Sequence, residues 1–173
     1  MRETILDVTE RRVRLAGYNG FSFRDVAADA GIKSSSVHYH FPGKELLVDA
    51  IAERYTERAR EWLGDQAEGS ADAAVERVAA LFLKANETDD LMCLCGLLGA
   101  ESGGLPPVLR PRVSAFFTLL IDWLDTALTE SGTRLTAREV VAQLEGGLMM
   151  SRTLEDPALL RDLVARLSER AKD

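Results

Sequence analysis

Ser22-Phe23-Arg24-Asp25-Val26-Ala27-Ala28-Asp29-Ala30-Gly31-Ile32-Lys33-Ser34-Ser35-Ser36-Val37-His38-Tyr39-His40-Phe41-Pro42-Gly43-Lys44 reads as two short helices separated by a glycine turn. The Ser22 hydroxyl can accept from an orphan backbone N–H at a helix start. Phe23, Val26, Ala27 and Ala30 recur at three- and four-residue steps, so one face of the first helix is apolar. Gly31 supplies the left-handed residue that closes a helix. Ile32 then plugs the corner, and Ser34 or Ser35 is expected to cap a second helix running through Phe41. Pro42 and Gly43 end that helix, because Pro42 lacks an N–H and disfavours helix at the residue before it. Two such helices across a tight turn make a helix-turn-helix.

The second helix presents an unusual set of side chains. Lys33, Ser34, Ser35, Ser36, His38, Tyr39 and His40 lie on it, with Lys44 just beyond, and no carboxylate is among them. Hydroxyls, imidazoles, a phenol and ammonium groups can enter a major groove without repelling phosphate, and can donate to or accept from base edges. An ordinary solvated helix mixes Glu with Lys; this one does not.

Outward from this pair, the chain is helical throughout. Helix one is expected over about Glu3–Ala16, with Ile5, Val8, Thr9, Val13 and Ala16 inside. Helix four follows from Gly43 or Lys44 to about Leu63, its apolar side made by Leu46, Leu47, Ala50, Ile51, Tyr55, Ala59 and Trp62. Gly64 to Ser70 reads as a linker, with Ser70 capping helix five. After a break at Asn86–Asp90, helix six is expected over about Asp89–Glu101, helix seven over Pro107–Glu130 and helix eight up to Leu154. Thr136 and Glu139 make a capping box at the start of helix eight, and Pro157 opens helix nine. No stretch alternates with a period of two. The expected fold is all-α, with about nine helices.

Charge is distributed unevenly. The net charge is −7, yet residues 1–50 hold seven basic and seven acidic side chains, so the remainder carries all of it. A neutral head on an acidic body turns the head toward DNA and discourages nonspecific coating. Nothing at the amino terminus looks like a signal peptide. The longest apolar run, Leu91–Ala100, is too short to span a bilayer, so a cytoplasmic protein without a membrane partner is expected.

Residues for chemistry are few, and no enzyme is expected. His38 and His40 stand two apart on a helix and point to different faces, so they cannot chelate a metal together. Cys93 and Cys95 are equally divergent. They read either as small buried hydrophobes or as a thiol sensor for electrophiles and oxidants. Further on, Leu81, Phe82, Met92, Leu98, Phe116, Phe117, Leu120, Trp123, Leu148 and Met149 could bound a cavity between helices or fill a core; the pattern leaves both open. Gly146 and Gly147 remove bulk in mid-helix. Leu144, Leu148 and Ser151 with Leu159, Leu163 and Leu167 offer facing stripes for a twofold dimer.

The run Gly31–Glu45 resembles the signature of the tetracycline-repressor (TetR) family. Gly31, Ile32, Val37, His40, Phe41, Lys44 and Glu45 sit on the pattern, and His38 stands where the family commonly has tyrosine. Ile5-Leu6, the Gly17-Tyr18-x-Gly20-Phe21 turn and Arg24-Asp25-Val26-Ala27 match the preceding helices. The first third of the chain resembles the family closely, the rest only in helical layout. The resemblance implies a helix-turn-helix DNA-binding domain over 1–46, joined through helix four to a helical ligand-binding and dimerisation domain over 47–173. It also implies a regulator, most simply a repressor, that binds a palindromic operator as a homodimer and is released by a small-molecule effector. No cofactor or metal is called for. DNA contacts are expected from Ser22, Lys33, Ser34, Ser35, Ser36, His38, Tyr39 and Lys44. Ligand contacts are expected from Phe82, Met92, Cys93, Leu98, Glu101, Phe116, Phe117, Leu120, Trp123 and Leu148. Other readings are a thiol-sensing regulator acting through Cys93 and Cys95, a thiol-handling helical enzyme, and a helical adaptor that does not bind DNA.

Overall fold

The computed structural model describes residues 1–65 and 69–172, so the centre of the expected Gly64–Ser70 linker lies outside the described residues. Within them the chain forms nine α-helices and no strand, as the periodicity predicts. They are α1 (Arg2–Ala16), α2 (Phe23–Asp29), α3 (Ser34–His40), α4 (Lys44–Leu63), α5 (Ala71–Leu83), α6 (Leu94–Ala100), α7 (Arg110–Ser131), α8 (Ala137–Thr153) and α9 (Pro157–Ala171). No helix among them is long and apolar enough to cross a membrane. The chain divides into two compact units. Unit one is Met1–Glu57 with Leu94–Ala115; unit two is Arg58–Cys93 with Phe116–Asp173.

Unit one is built on fully buried Ile5, Leu6, Val26, Val37, Leu47 and Ile51. Ser22 and Asp25 form a reciprocal capping box at the start of α2. At its other end Gly31 has φ +66°. The Ile32 N–H reaches Ala27 O at 2.9 Å and the Gly31 N–H reaches Ala28 O at 3.2 Å, a Schellman closure that fixes the entry to α3. One expectation changes here: neither Ser34 nor Ser35 caps α3. The tight closure leaves Lys33 as the extended cap residue, and Ser34 is already the first helical one.

Helix α1 also differs from its apolar pattern. Ala16 is exposed, whereas Glu10 and Arg14 are 7% and 6% exposed and lie 3.7 Å apart. Arg54 of α4 adds bonds to Glu10 at 3.1 Å and Asp7 at 2.8 Å. A buried charge is tolerable when it is paired in this way, and hydrophobic periodicity cannot register it. Leu46 of α4 is also exposed: the pattern placed it inside, but the inward face runs through Leu47, Val48, Ile51 and Ala52.

In unit two, α5, α8 and α9 pack around Val75, Val78, Phe82, Val140, Leu144, Leu160 and Leu167. Thr136 and Glu139 make the expected capping box on α8. Pro157 opens α9, which Asp156 caps through the Ala158 N–H at 3.0 Å. Ser70 sits at the cap position of α5, but its hydroxyl is turned to the Asp72 carboxylate. Trp62, expected inside, is exposed, with its indole N–H on Arg77 O at 3.1 Å. Two helix starts move. Lys84–Asp89 continue α5 as a π-helical turn and Asp90 turns left-handed, so α6 begins at Leu94, not Asp89. Pro107–Leu109 form a 3-10 turn ahead of α7.

The two glycines of α8 have separate roles. A Cβ on Gly147 would collide with Leu163 and Leu160 of the same chain, so this glycine lets α9 approach α8 within the protomer. Leu144, Leu148, Ser151 and Leu167 are likewise buried inside the protomer and do not form an outward stripe. Gly146 faces open space and lines a groove with Met150, Leu159 and Leu163.

Candidate functional site

Helix α3 is anchored by one residue and displays the others. Val37 is wholly buried, while Lys33, Ser35, His38 and Tyr39 are exposed and Ser34, Ser36 and His40 are partly so. Tyr39, at 83% exposed, projects from the helix with its ring edge-on to His40 at 5.2 Å. His38 rests edge-on against Phe23 with ring centroids 4.6 Å apart, which fixes the imidazole beside the turn.

The nearby carboxylates are already engaged. Ser22 donates from its hydroxyl to Asp25 at 2.7 Å and from its N–H at 2.8 Å. These bonds hold the Asp25 carboxyl below its ordinary range, the hydroxyl contributing most. Arg12 grips Asp29 with two bonds at 2.6 and 2.8 Å, and this likewise lowers Asp29. The surface from Lys33 to Lys44 therefore stays free of unpaired negative charge from α2.

Lys44 has a structural task that its sequence position did not reveal. Its Nζ donates to Phe21 O at 2.6 Å and lies 4.2 Å from the Phe21 ring centre and 4.8 Å from that of Tyr18. Burial pushes its pKa down, against the pull of Glu101, Glu45 and Asp25. Ser22 is similarly occupied as the α2 cap. A phosphate reaching either group competes with an existing bond. Sequence reasoning also missed the acceptor on the far side of this turn: Glu101 takes the Tyr18 N–H at 2.6 Å.

The expected ligand residues fall in both units. Leu98 and Glu101 belong to unit one, Leu98 buried and Glu101 occupied by Tyr18. Phe82, Cys93, Phe116, Leu120, Trp123 and Leu148 are buried in unit two, and Met92 and Phe117 are partly buried there. The Phe116 and Phe117 rings meet edge-on at 5.5 Å, and the Trp123 indole donates to Gly64 O at 3.1 Å. Met149, read with the residues that bound a cavity or fill a core, is exposed. Cys93 and Cys95 are buried, at 1% and 0% exposure. No cluster of three metal-ligating side chains occurs among the described residues.

One titratable group in unit two escaped the sequence reading. Burial raises the Glu145 carboxyl to about 7, with the Cys93 thiol bond pulling the other way. Its Oε2 is buried without a hydrogen-bond partner. The available signal was a lone acid between Val141 and Leu148 on a helix face that is otherwise apolar.

Comparison with known proteins supplies the rest. Residues 5–51 match the family described as "Bacterial regulatory proteins, tetR family". The chain is 30% identical over 171 residues to the HTH-type transcriptional regulator LmrA of Bacillus subtilis (strain 168), covering 90% of this chain and 88% of that one. A TetR transcriptional regulator from Legionella pneumophila superposes with a TM-score of 0.90 at 30% identity, covering 99% of this chain and 97% of the other. A TetR-family regulator from Agrobacterium tumefaciens gives a TM-score of 0.86 at 25% identity, with the same coverage of each chain.

Proposed function

The chain belongs to the tetR family of bacterial regulatory proteins and is a DNA-binding transcriptional regulator; from that premise we propose that it is a cytoplasmic repressor released by a small-molecule effector. Residues 1–46 form the DNA-binding domain and 47–173 the ligand-binding and dimerisation domain. The observation that carries this reading is the carboxylate-free exposed face of α3, with Tyr39 projecting from it. Base edges are met by Ser34, Ser35, Ser36 and His38. Phosphates are met by Lys33, Tyr39 and the first turn of α4, whose N-terminus attracts an anion; Ser22 and Lys44 join them by exchanging their internal bonds.

Two chains pair through the groove at Gly146, Met150, Leu159 and Leu163. A twofold dimer places two α3 helices about 34–36 Å apart, or a multiple of a helical turn, on a palindrome. The effector is an apolar molecule held by Phe82, Met92, Cys93, Phe116, Phe117, Leu120, Trp123 and Leu148. It acts by preferring one spacing of the paired α3 helices; a preference of about 100-fold corresponds to about 2.7 kcal/mol. Selection of bound duplexes from a random library by the full chain tests the reading. Enrichment of a palindrome supports it, and a selected pool no different from the input refutes it.

A further inference from the structure

The π-helical turn Lys84–Asp89 brings Asn86 into the interior of unit two, where it is 9% exposed. Its Nδ2 is buried and has no hydrogen-bond partner. Its Oδ1 faces Ser151 Oγ at 3.2 Å. Ser151 owns a single hydroxyl proton, and Asp156 O at 2.7 Å takes it. Turning the amide over would pair the nitrogen with Ser151 and strand the oxygen instead. One end of Asn86 lacks a partner either way, and a buried polar group left so is costly.

Asn86 lines a cleft of about 670 Å³, a volume that suits a small molecule. Asp90 at φ +52° and Glu155 at φ +53° are the two non-glycine residues with left-handed backbone among the described residues, and both line this same cleft. Such conformations persist where the surroundings impose them, often beside a ligand. Arg152 Nη1 bonds Asp90 at 2.7 Å and Arg161 Nη1 bonds Glu87 at 2.8 Å. Each pair uses one nitrogen, leaving further N–H groups of both guanidinium forks for an oxyanion. The Glu155 carboxylate has no ion pair among the described residues.

We propose that this cleft, at the corner between α8 and α9, is a second ligand site that takes a small zwitterion carrying one carboxylate and one ammonium, of the free α-amino-acid kind. The carboxylate lies on the spare donors of Arg152 and Arg161, and the unpartnered end of Asn86 marks the polar floor of the cleft. The ammonium meets Glu155. A simple anion would leave Glu155 uncompensated in a lining where Glu87, Asp90 and Glu155 outnumber the two arginines. A simple amine would leave both forks unused. The zwitterion answers both sets of groups.

Calorimetric titration of the full chain with each of the twenty common L-amino acids, and with propionate and propylamine as single-charge controls, tests this without DNA. Its outcome is therefore independent of the repressor reading. At least one amino acid should bind saturably at one per chain, with both controls at least tenfold weaker. Arg161→Gln and Glu155→Gln change exposed side chains, so each should keep the parent melting temperature and weaken that amino acid at least tenfold. The proposal is overturned if no amino acid binds, if propionate or propylamine binds as well as the best of them, or if both variants bind as the parent does.

Discussion

The carboxylate of Glu101 accepts the backbone N–H of Tyr18 at 2.6 Å, joining residues 83 positions apart in the chain. Gly17, just before, has φ +76°, and a Cβ there would collide with that carboxylate. On the other side of the same turn, Lys44 Nζ holds Phe21 O. The turn that feeds α2 is thus pinned from the residue following α6 and from the first residue of α4.

Removing the acceptor should expose this dependence. In Glu101→Ala the Tyr18 N–H, on a residue 7% exposed, loses its partner, and unfolding free energy from denaturant titration should fall by about 1–3 kcal/mol. Glu101→Gln keeps an acceptor oxygen and should fall by less. Gly17→Ala, which meets both the clash and the left-handed backbone, should lose at least about 1 kcal/mol.

Tyr39 and Lys44 should separate cleanly. Tyr39→Ala alters an exposed ring and should leave stability within about 0.5 kcal/mol of the parent while weakening DNA binding. Lys44→Ala removes the Phe21 bond and the ring contacts, so it should lower both the melting temperature and DNA affinity. Thermal melts run beside gel shifts check the pair.

Glu145 predicts a pH dependence with a definite sign. Its carboxyl rises from an ordinary 4.5 to about 7 on folding, chiefly through burial. The folded state therefore holds its proton more tightly than the unfolded state. The associated stability is fully present below pH 4.5 and is lost as pH rises through 7, by roughly 3 kcal/mol in all. Glu145→Gln should remove that difference, so the gap between parent and variant stability should change across this interval. A parallel pair of stability curves would show that Glu145 is ordinary.

The neighbouring glycines should behave oppositely. Gly147→Ala forces a Cβ against Leu163 and Leu160 and should destabilise the protomer by about 1–3 kcal/mol. Gly146→Arg places a long charged side chain in open space beside Met150 and Leu159, so the fold should survive while sedimentation shows dissociated chains.

Local signals carried much of the architecture. Gly31 with Ile32, Thr136 with Glu139, and Pro157 each act within a few residues, so the end of α2 and the starts of α8 and α9 could be read directly. The misplaced features either lack an apolar period or depend on distant partners. The late start of α6 follows from a π-helical turn and a left-handed Asp90, neither of which has an apolar period. Glu10 and Arg14 are buried because Arg54 comes from another helix to complete their charge network. At the candidate DNA surface, residue types on α3 were legible, but the internal bond of Lys44 required the fold. Glu101 was read as a ligand partner because a polar residue ending an apolar helix has no local feature that points to Tyr18.

Fluorescence anisotropy of a selected duplex, titrated with the parent and with the double variant Ser35→Glu/Tyr39→Ala, bears on whether α3 is the reading surface. A carboxylate introduced among phosphates and the loss of the projecting ring should together weaken binding at least 100-fold, with the melting temperature and oligomeric state unchanged. Parent-like affinity in a folded double variant would mean that α3 does not read the DNA.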